Sequence, residues 1–280
     1  MIFSSETKNR LEVGFTYAGI ILFVVHCLVI QFIDFGYIPT ESLPKNLFGS
    51  PFASLFTPFS ILLIYEVYLL IYYLRESYSK SVSKQIEIMA LILLRNSFKD
   101  IDKLMQGHTQ LFQSELIKDV TGFIALLILL WAFYHLDKNR KGIKYSLSPN
   151  FILLKQRISV LLFWIFVALS FYSIGHWVMS LAQFQTHGMQ QDPSHIFYSE
   201  FFTLLTFVDV VLLLSSAKNL SNTILVIRNS GYVLSTLLMR ISFSLVGWER
   251  IGAVVIGAGL AVFMMWISEK DAFRIKEVQS

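Results

Sequence analysis

Residues 120–137 read VTGFIALLILLWAFYHLD, an apolar run that ends in Asp137. A helix of about 20 such residues crosses the hydrocarbon core of a bilayer. Similar runs recur along the whole chain of 280 residues, which is 55% hydrophobic and 15% charged. A soluble domain usually carries about 25% charged residues. The sequence therefore predicts an all-α, polytopic integral membrane protein. Its expected partner is the surrounding lipid bilayer.

The apolar runs predict about eight transmembrane helices. The third and seventh runs are the least apolar, because they contain Arg95 and Arg240. If these two segments lie on the membrane surface instead, the number of spans falls to six. The predicted spans are residues 11–32, 57–75, 85–104, 120–137, 157–182, 199–217, 228–247 and 250–268.

The basic residues predict the orientation of the chain. Most of the 23 Lys and Arg fall in alternate short connections, and the long connection 183–200 contains none. Cytoplasmic connections carry an excess of Lys and Arg, so both termini are predicted to be cytoplasmic in a multi-pass protein of the cell membrane. This distribution is typical of membrane topology, and it does not predict nucleic-acid binding.

Four polar landmarks of the first half return in the same order in the second half. They are a basic start of the first span, an acid in the second, an arginine in the third and an acid–base pair that closes the fourth. We therefore predict a tandem duplication, with one four-helix unit in residues 1–145 and the other in 146–280. Because each unit has an even number of spans, the copies are parallel repeats. The landmarks are Lys8-Asn9-Arg10 and Lys155-Gln156-Arg157, Glu66 and Asp209, Arg95 and Arg240, and Asp137-Lys138 and Glu269-Lys270.

Four charged residues inside the predicted spans are the main candidates for function. Glu66 and Arg95 lie on neighbouring spans of the first half, and Asp209 and Arg240 lie on the corresponding spans of the second. A charge at the middle of the membrane costs about 3 kcal/mol or more, so we expect each acid to pair with its arginine. Such a pair either locks a helical hairpin or forms part of a gate, an ion path or a sensor of membrane potential.

The histidines are weaker candidates for functional residues than the four charged residues. His26 and His176 lie in the first and fifth spans, where they could relay protons or simply pack through hydrogen bonds. His187 and His195 flank Asp192 in the long connection. Two histidines and an aspartate can bind zinc, but this spacing matches no established ligand motif, so we predict no metal site.

The last span contains three glycines, and the chain lacks several common catalytic and nucleotide-binding motifs. Gly252, Gly257 and Gly259 in the last span indicate close helix packing, within this chain or in a homo-oligomer. The sequence lacks a phosphate-binding GxxxxGK[ST] loop and the HExxH, CxxC and GxSxG motifs. We therefore predict neither an enzyme nor a cofactor.

One part of the chain resembles a known family. The segments Tyr65-Glu66-Val67 and Ala90-Leu91-Ile92-Leu93-Leu94-Arg95, with Asp100 after them, resemble the phosphate-starvation-inducible PsiE family over residues 57–137. The resemblance implies a four-span unit in a bacterial cytoplasmic membrane, with an acid in helix two and an arginine followed by an acid in helix three. The second half keeps the first two features but has Leu245 where the later acid would stand.

These observations predict two alternative functions. The first is permeation or sensing of protons or small ions through the buried acid–arginine pairs. The second is a non-transporting scaffold or stress-adaptation protein that binds a partner through its loops.

Overall fold

The computed structural model describes residues 3–37, 48, 51–105, 109–139, 149–182, 193–219 and 223–279. Within these residues the chain forms eight α-helices and two short 3-10 helices, Pro51–Leu55 and Ser242–Ser244, and no strand. The all-α prediction is therefore confirmed. The α-helices are α1 (Ser5–Asp34), α2 (Phe56–Glu76), α3 (Tyr78–Met105), α4 (Thr109–Asn139), α5 (Pro149–Ala182), α6 (Pro193–Asn219), α7 (Thr223–Ile241) and α8 (Gly247–Gln279).

Local chemistry explains where several helices begin and end. Ser4 precedes α1, and its side-chain oxygen accepts hydrogen bonds from the backbone N–H groups of Glu6 and Thr7. Ser77 adopts an extended conformation and is the only residue between α2 and α3, so these two helices form a tight hairpin. Gly247 begins α8 at φ +60°, a left-handed conformation that glycine adopts without steric cost.

In the part of the chain that the structure describes, five helices, α1, α2, α4, α5 and α8, contain stretches long and apolar enough to cross a membrane. Their outward faces carry large apolar side chains: Ile128 is 61% exposed, Trp131 70% and Trp164 58%. Exposing such an apolar surface to water is unfavourable in free energy, whereas contact with lipid is not. The apolar stretches are Ser5–Asp34, Ala53–Glu76, Glu115–Lys138, Phe151–Tyr172 and Gly247–Ser268.

Helix α3 is polar but lies inside the helical bundle. It packs against α2, α4, α7 and α8, and no residue between positions 81 and 102 is exposed. A polar helix on the membrane surface would expose one face to water. The burial of α3 thus favours eight crossings over six, and that number remains a prediction. The buried polar residues of α3 are Ser79, Ser81, Ser83, Gln85, Arg95, Ser97, Asp100 and Asp102.

Helix α7 combines a polar inner face with an apolar outer line. Ile227, Leu234 and Ile241 are about half exposed and follow one another every seven residues, which is two helical turns. The opposite side, with buried Asn229, Ser235, Thr236 and Arg240, faces α3, α6 and α8. This arrangement fits a helix that contacts lipid on one side and polar groups on the other.

The two halves pack side by side. In each half consecutive helices pack against each other, from α1 to α4 and from α5 to α8. Contacts between the halves join α2 to α5, α3 to α7 and α8, and α4 to α8. The division into repeats at residues 1–145 and 146–280 remains a prediction from the sequence landmarks.

Candidate functional site: buried charge clusters

Asp209 on α6 and Arg240 on α7 form a deeply buried ion pair. The Arg240 Nη2 atom lies 2.6 Å from the Asp209 Oδ2 atom, and the two side chains are 7% and 5% exposed, respectively. The structure thus brings together the acid and arginine that the sequence pointed to in the second half. Each charge offsets the desolvation of the other.

Uncharged side chains from three helices surround this pair. Arg240 also donates to Thr206 Oγ1 at 2.7 Å and to Gln85 Oε1, on α3 of the first half, at 2.9 Å. Thr236 donates to Asp209 Oδ2 at 3.5 Å. We call Gln85, Thr206, Asp209, Thr236 and Arg240 the central polar cluster. It carries no net charge and connects the two halves of the chain.

The central polar cluster is not fully satisfied by protein groups. Gln85 Nε2 and Arg240 Nε are buried, and neither has a hydrogen-bond acceptor among the residues that the structure describes. A buried donor without an acceptor costs about 1–3 kcal/mol.

Glu66 belongs to a second cluster in the first half. Its Oε2 atom lies 3.5 Å from Lys84 Nζ, and the same ammonium group bonds to Glu87. Tyr134 on α4 donates its hydroxyl to the other oxygen of Glu87. The side chains of Glu66, Lys84 and Glu87 are only 13–18% exposed. We call Glu66, Lys84, Glu87 and Tyr134 the first-half cluster, in which two carboxylates share one ammonium group.

The structure gives Glu66 a different partner from the predicted Arg95. The physical reason is competition, since Lys84 lies nearer to Glu66 along the α2–α3 hairpin. The arginines Arg95 and Arg240 are 145 residues apart, and 145 residues after Lys84 stands the uncharged Asn229. No lysine therefore competes for Asp209 in the second half. Arg95 is buried further along α3 and has interactions of its own.

The histidine candidates are only partly covered by the structure. His26 Nδ1 lies 2.6 Å from Thr57 Oγ1, and its ring packs against Phe48, so it joins α1 to the start of α2. His176 and His195 lie on α5 and α6, but their side chains are outside the described residues, as are His187 and Asp192 altogether. In the described part of the chain no three His, Cys, Asp or Glu residues lie close enough to hold a metal ion.

Several residues of these clusters were not predicted from the sequence. Gln85 carries no charge and does not stand out in an apolar span, and Lys84 directly precedes the predicted third span, residues 85–104. The i,i+3 spacing of Lys84 and Glu87 puts both side chains on one face of a helix, and this feature of the sequence could have revealed their ion pair. A further unpredicted ion pair, between Asp119 and Arg250, joins the beginnings of the apolar stretches of α4 and α8.

Comparisons with protein-family models, with curated proteins and with solved structures find no match to this chain. The resemblance to the PsiE family therefore remains a prediction from the sequence.

Proposed function

We propose that this chain is a multi-pass protein of the cell membrane that conducts or senses protons or small cations through its buried charge clusters. The observation that carries the proposal is the charge imbalance of the first-half cluster. Glu66 and Glu87 share the single ammonium group of Lys84. A proton or a small cation would balance the second carboxylate at low energetic cost, whereas an anion would be repelled.

The position of the clusters supports the same proposal. Both lie on the polar inner helices α3 and α7 or on the helices packed against them, behind a shell of apolar helices. Ionisable residues in such places commonly mark ion paths or proton relays. The first-half cluster is also partly accessible, as exchange of a proton or cation requires.

Each half has few charges that could move with the membrane potential. One elementary charge that crosses the whole potential contributes only about 2.3 kcal/mol per 100 mV. We therefore propose conduction or sensing with weak voltage dependence, in contrast to a steep voltage sensor with a row of arginines.

The test is flux through purified protein in liposomes, measured for protons, Na⁺ and K⁺ with and without an imposed potential. The variants are Glu66→Gln and Glu87→Gln. The matched control is Glu76→Gln, the same substitution in the more exposed Glu76–Lys80 pair. We expect flux above that of empty liposomes in the wild type and in the control, and at least a tenfold loss in the two cluster variants. Folded variants that conduct like the wild type would contradict the assigned role.

A second proposal is the non-transporting scaffold, which the close geometry of the Asp209–Arg240 pair favours. In that case the clusters only fix the fold. Neutralising either residue should then destabilise the protein, and exchanging the acid and the arginine should restore folding. Absence of flux for every ion at both polarities would favour this scaffold or a sensor.

A further inference from the structure

Four groups of the first-half cluster form an unbroken chain of polar contacts across three helices. Glu66 Oε2 on α2 lies 3.5 Å from Lys84 Nζ on α3, and the same ammonium group contacts Glu87 Oε2. The other oxygen, Glu87 Oε1, accepts a hydrogen bond from the Tyr134 hydroxyl on α4. Every link joins two groups that can donate or accept a proton. The chain therefore offers a proton a route between Tyr134 and Glu66.

Tyr134 is the exposed end of this chain. The residue is 45% exposed, whereas the side chains of Glu66, Lys84 and Glu87 are 13–18% exposed. It lies four residues before the end of the apolar stretch Glu115–Lys138, which places it about 6 Å from the edge of the hydrocarbon. Tyrosine is common at this boundary, where its hydroxyl meets water. Tyr134 is thus the member of the chain best placed to exchange protons with interfacial water.

The charged groups that act on the cluster, among the described residues, leave one carboxylate charge unbalanced. Lys84 offsets only one of Glu66 and Glu87. From α1, Glu12 also acts electrostatically on Glu66. Lys8, four residues earlier on the same helix, interacts with Glu12 and offsets its charge. A proton is the smallest ligand that removes the remaining negative charge, and it needs no cavity.

We propose that the first-half cluster binds protons and not metal cations, and that Tyr134 relays them between water and Glu87. This inference rests on the proposed function and narrows it to one ion. In each transfer the Tyr134 hydroxyl gives its proton to Glu87 Oε1, while the phenol oxygen takes one from a hydronium ion, which leaves as water.

The arrangement of the ligands favours a proton over a metal cation. The ammonium group of Lys84 already lies between the two carboxylates, where a metal ion would have to bind. Hard metal cations need about six oxygen ligands at once. Among the residues that the structure describes, no three acidic, histidine or cysteine side chains converge to supply them. Hydroxyl, carboxylate and ammonium groups in contact are instead the parts of a proton relay.

The experiment measures proton uptake by the purified protein in detergent after a rapid drop in pH, so it requires no flux. Infrared difference spectroscopy follows the carbonyl stretch of protonated carboxyl groups. The pH falls from about 8 to about 6, where exposed carboxyl groups with ordinary pKa values near 4 stay ionised. The variants are Glu66→Gln, Glu87→Gln and Tyr134→Phe. The matched control is Tyr17→Phe, which removes the hydroxyl of a tyrosine that is 64% exposed on α1.

We expect a protonated-carboxyl band in the wild type that both glutamine variants lose and that excess Na⁺ or K⁺ leaves unchanged. Tyr134→Phe should reach at least the same band height about tenfold or more slowly, because the carboxylates remain and the relay is lost. Tyr17→Phe should behave like the wild type. A tyrosine that only held Glu87 in place would instead alter the height of the band and leave its rate unchanged.

The inference is overturned if the wild type shows no such band, if the band survives in both glutamine variants, or if Tyr134→Phe reacts as fast as the wild type. Suppression of the band by Na⁺ or K⁺ would also overturn it, and this measurement needs only the wild type. Flux of Na⁺ or K⁺ in liposomes that is lost in Glu66→Gln would keep the proposed function but overturn this inference. Proton uptake through Tyr134 without any flux would contradict conduction and support the inference.

Discussion

Asp209 illustrates at the scale of a residue how this chain keeps charges inside an apolar bundle. Its carboxylate is buried but faces Arg240 directly, and Thr236 donates a further hydrogen bond. Removing one member of such a pair leaves the other as a buried, uncompensated charge. The stability of the pair therefore depends on both partners together.

We predict that Asp209→Asn lowers the free energy of unfolding by about 3–5 kcal/mol, because Arg240 loses its counter-charge. The double variant Asp209→Asn with Arg240→Gln should lose clearly less, since no charge remains buried there. Unfolding of the purified protein in mixed micelles measures both values. The control is Glu6→Gln in the exposed Glu6–Arg10 pair, which should change stability by about 1 kcal/mol or less. A double variant as unstable as the sum of its single variants would show that the two charges are not coupled.

The sequence identified three charged residues of the candidate site, Glu66, Asp209 and Arg240, but not Lys84, Glu87 or the uncharged Gln85. Charges are conspicuous in an apolar span, so Asp209 and Arg240 could be recognised from composition alone. Gln85 could not, because its role depends on the packing of α3 against α7 across the two halves. Apolar runs mark only the part of a helix inside the hydrocarbon, whereas α3 already begins at Tyr78, so the pairing of Lys84 with Glu66 could not be predicted from the run at 85–104.

At the scale of the helices, the contact between α7 and α8 requires glycine at Gly257, where backbone atoms of α7 come close. The sequence pointed to Gly252, Gly257 and Gly259 alike. A methyl group added at Gly257 would lie 2.8 Å from Met239 Cγ and 2.9 Å from the backbone oxygen of Ser235, on α7. At Gly252 and Gly259 a methyl group would meet nothing within 4 Å. Spacing alone could not distinguish them, because the contact depends on which side of α8 faces α7.

We predict that Gly257→Ala destabilises the protein by about 1–3 kcal/mol, because backbone atoms of α7 cannot move aside easily. Gly259→Ala, its matched control on the same helix, should be neutral or slightly stabilising, since alanine favours helix more than glycine does. Thermal unfolding in detergent with both variants checks this difference. Equal stability of the two variants would mean that α7 and α8 are further apart than the structure shows.

For the whole molecule, the central question is whether α3 and α7 cross the membrane with the five apolar helices. Hydropathy alone could not decide this, because both helices bury their polar faces against other helices rather than against lipid. The structure leaves no residue of α3 exposed between positions 81 and 102, and it gives α7 an exposed line of aliphatic residues. Both features are expected of membrane-crossing helices in a chain with eight spans.

The most direct test is the sidedness of single cysteines in sealed vesicles, labelled with a reagent that does not cross the membrane. The natural Cys27 is replaced by Ser, and one cysteine is introduced at Lys80, Gly107, Ser221 or Val246, at or near the ends of α3 and α7. We predict that Lys80→Cys and Ser221→Cys react from one side, and that Gly107→Cys and Val246→Cys react from the other. If Lys80→Cys and Gly107→Cys reacted from the same side, α3 would not cross the membrane and the eight-span arrangement would be wrong.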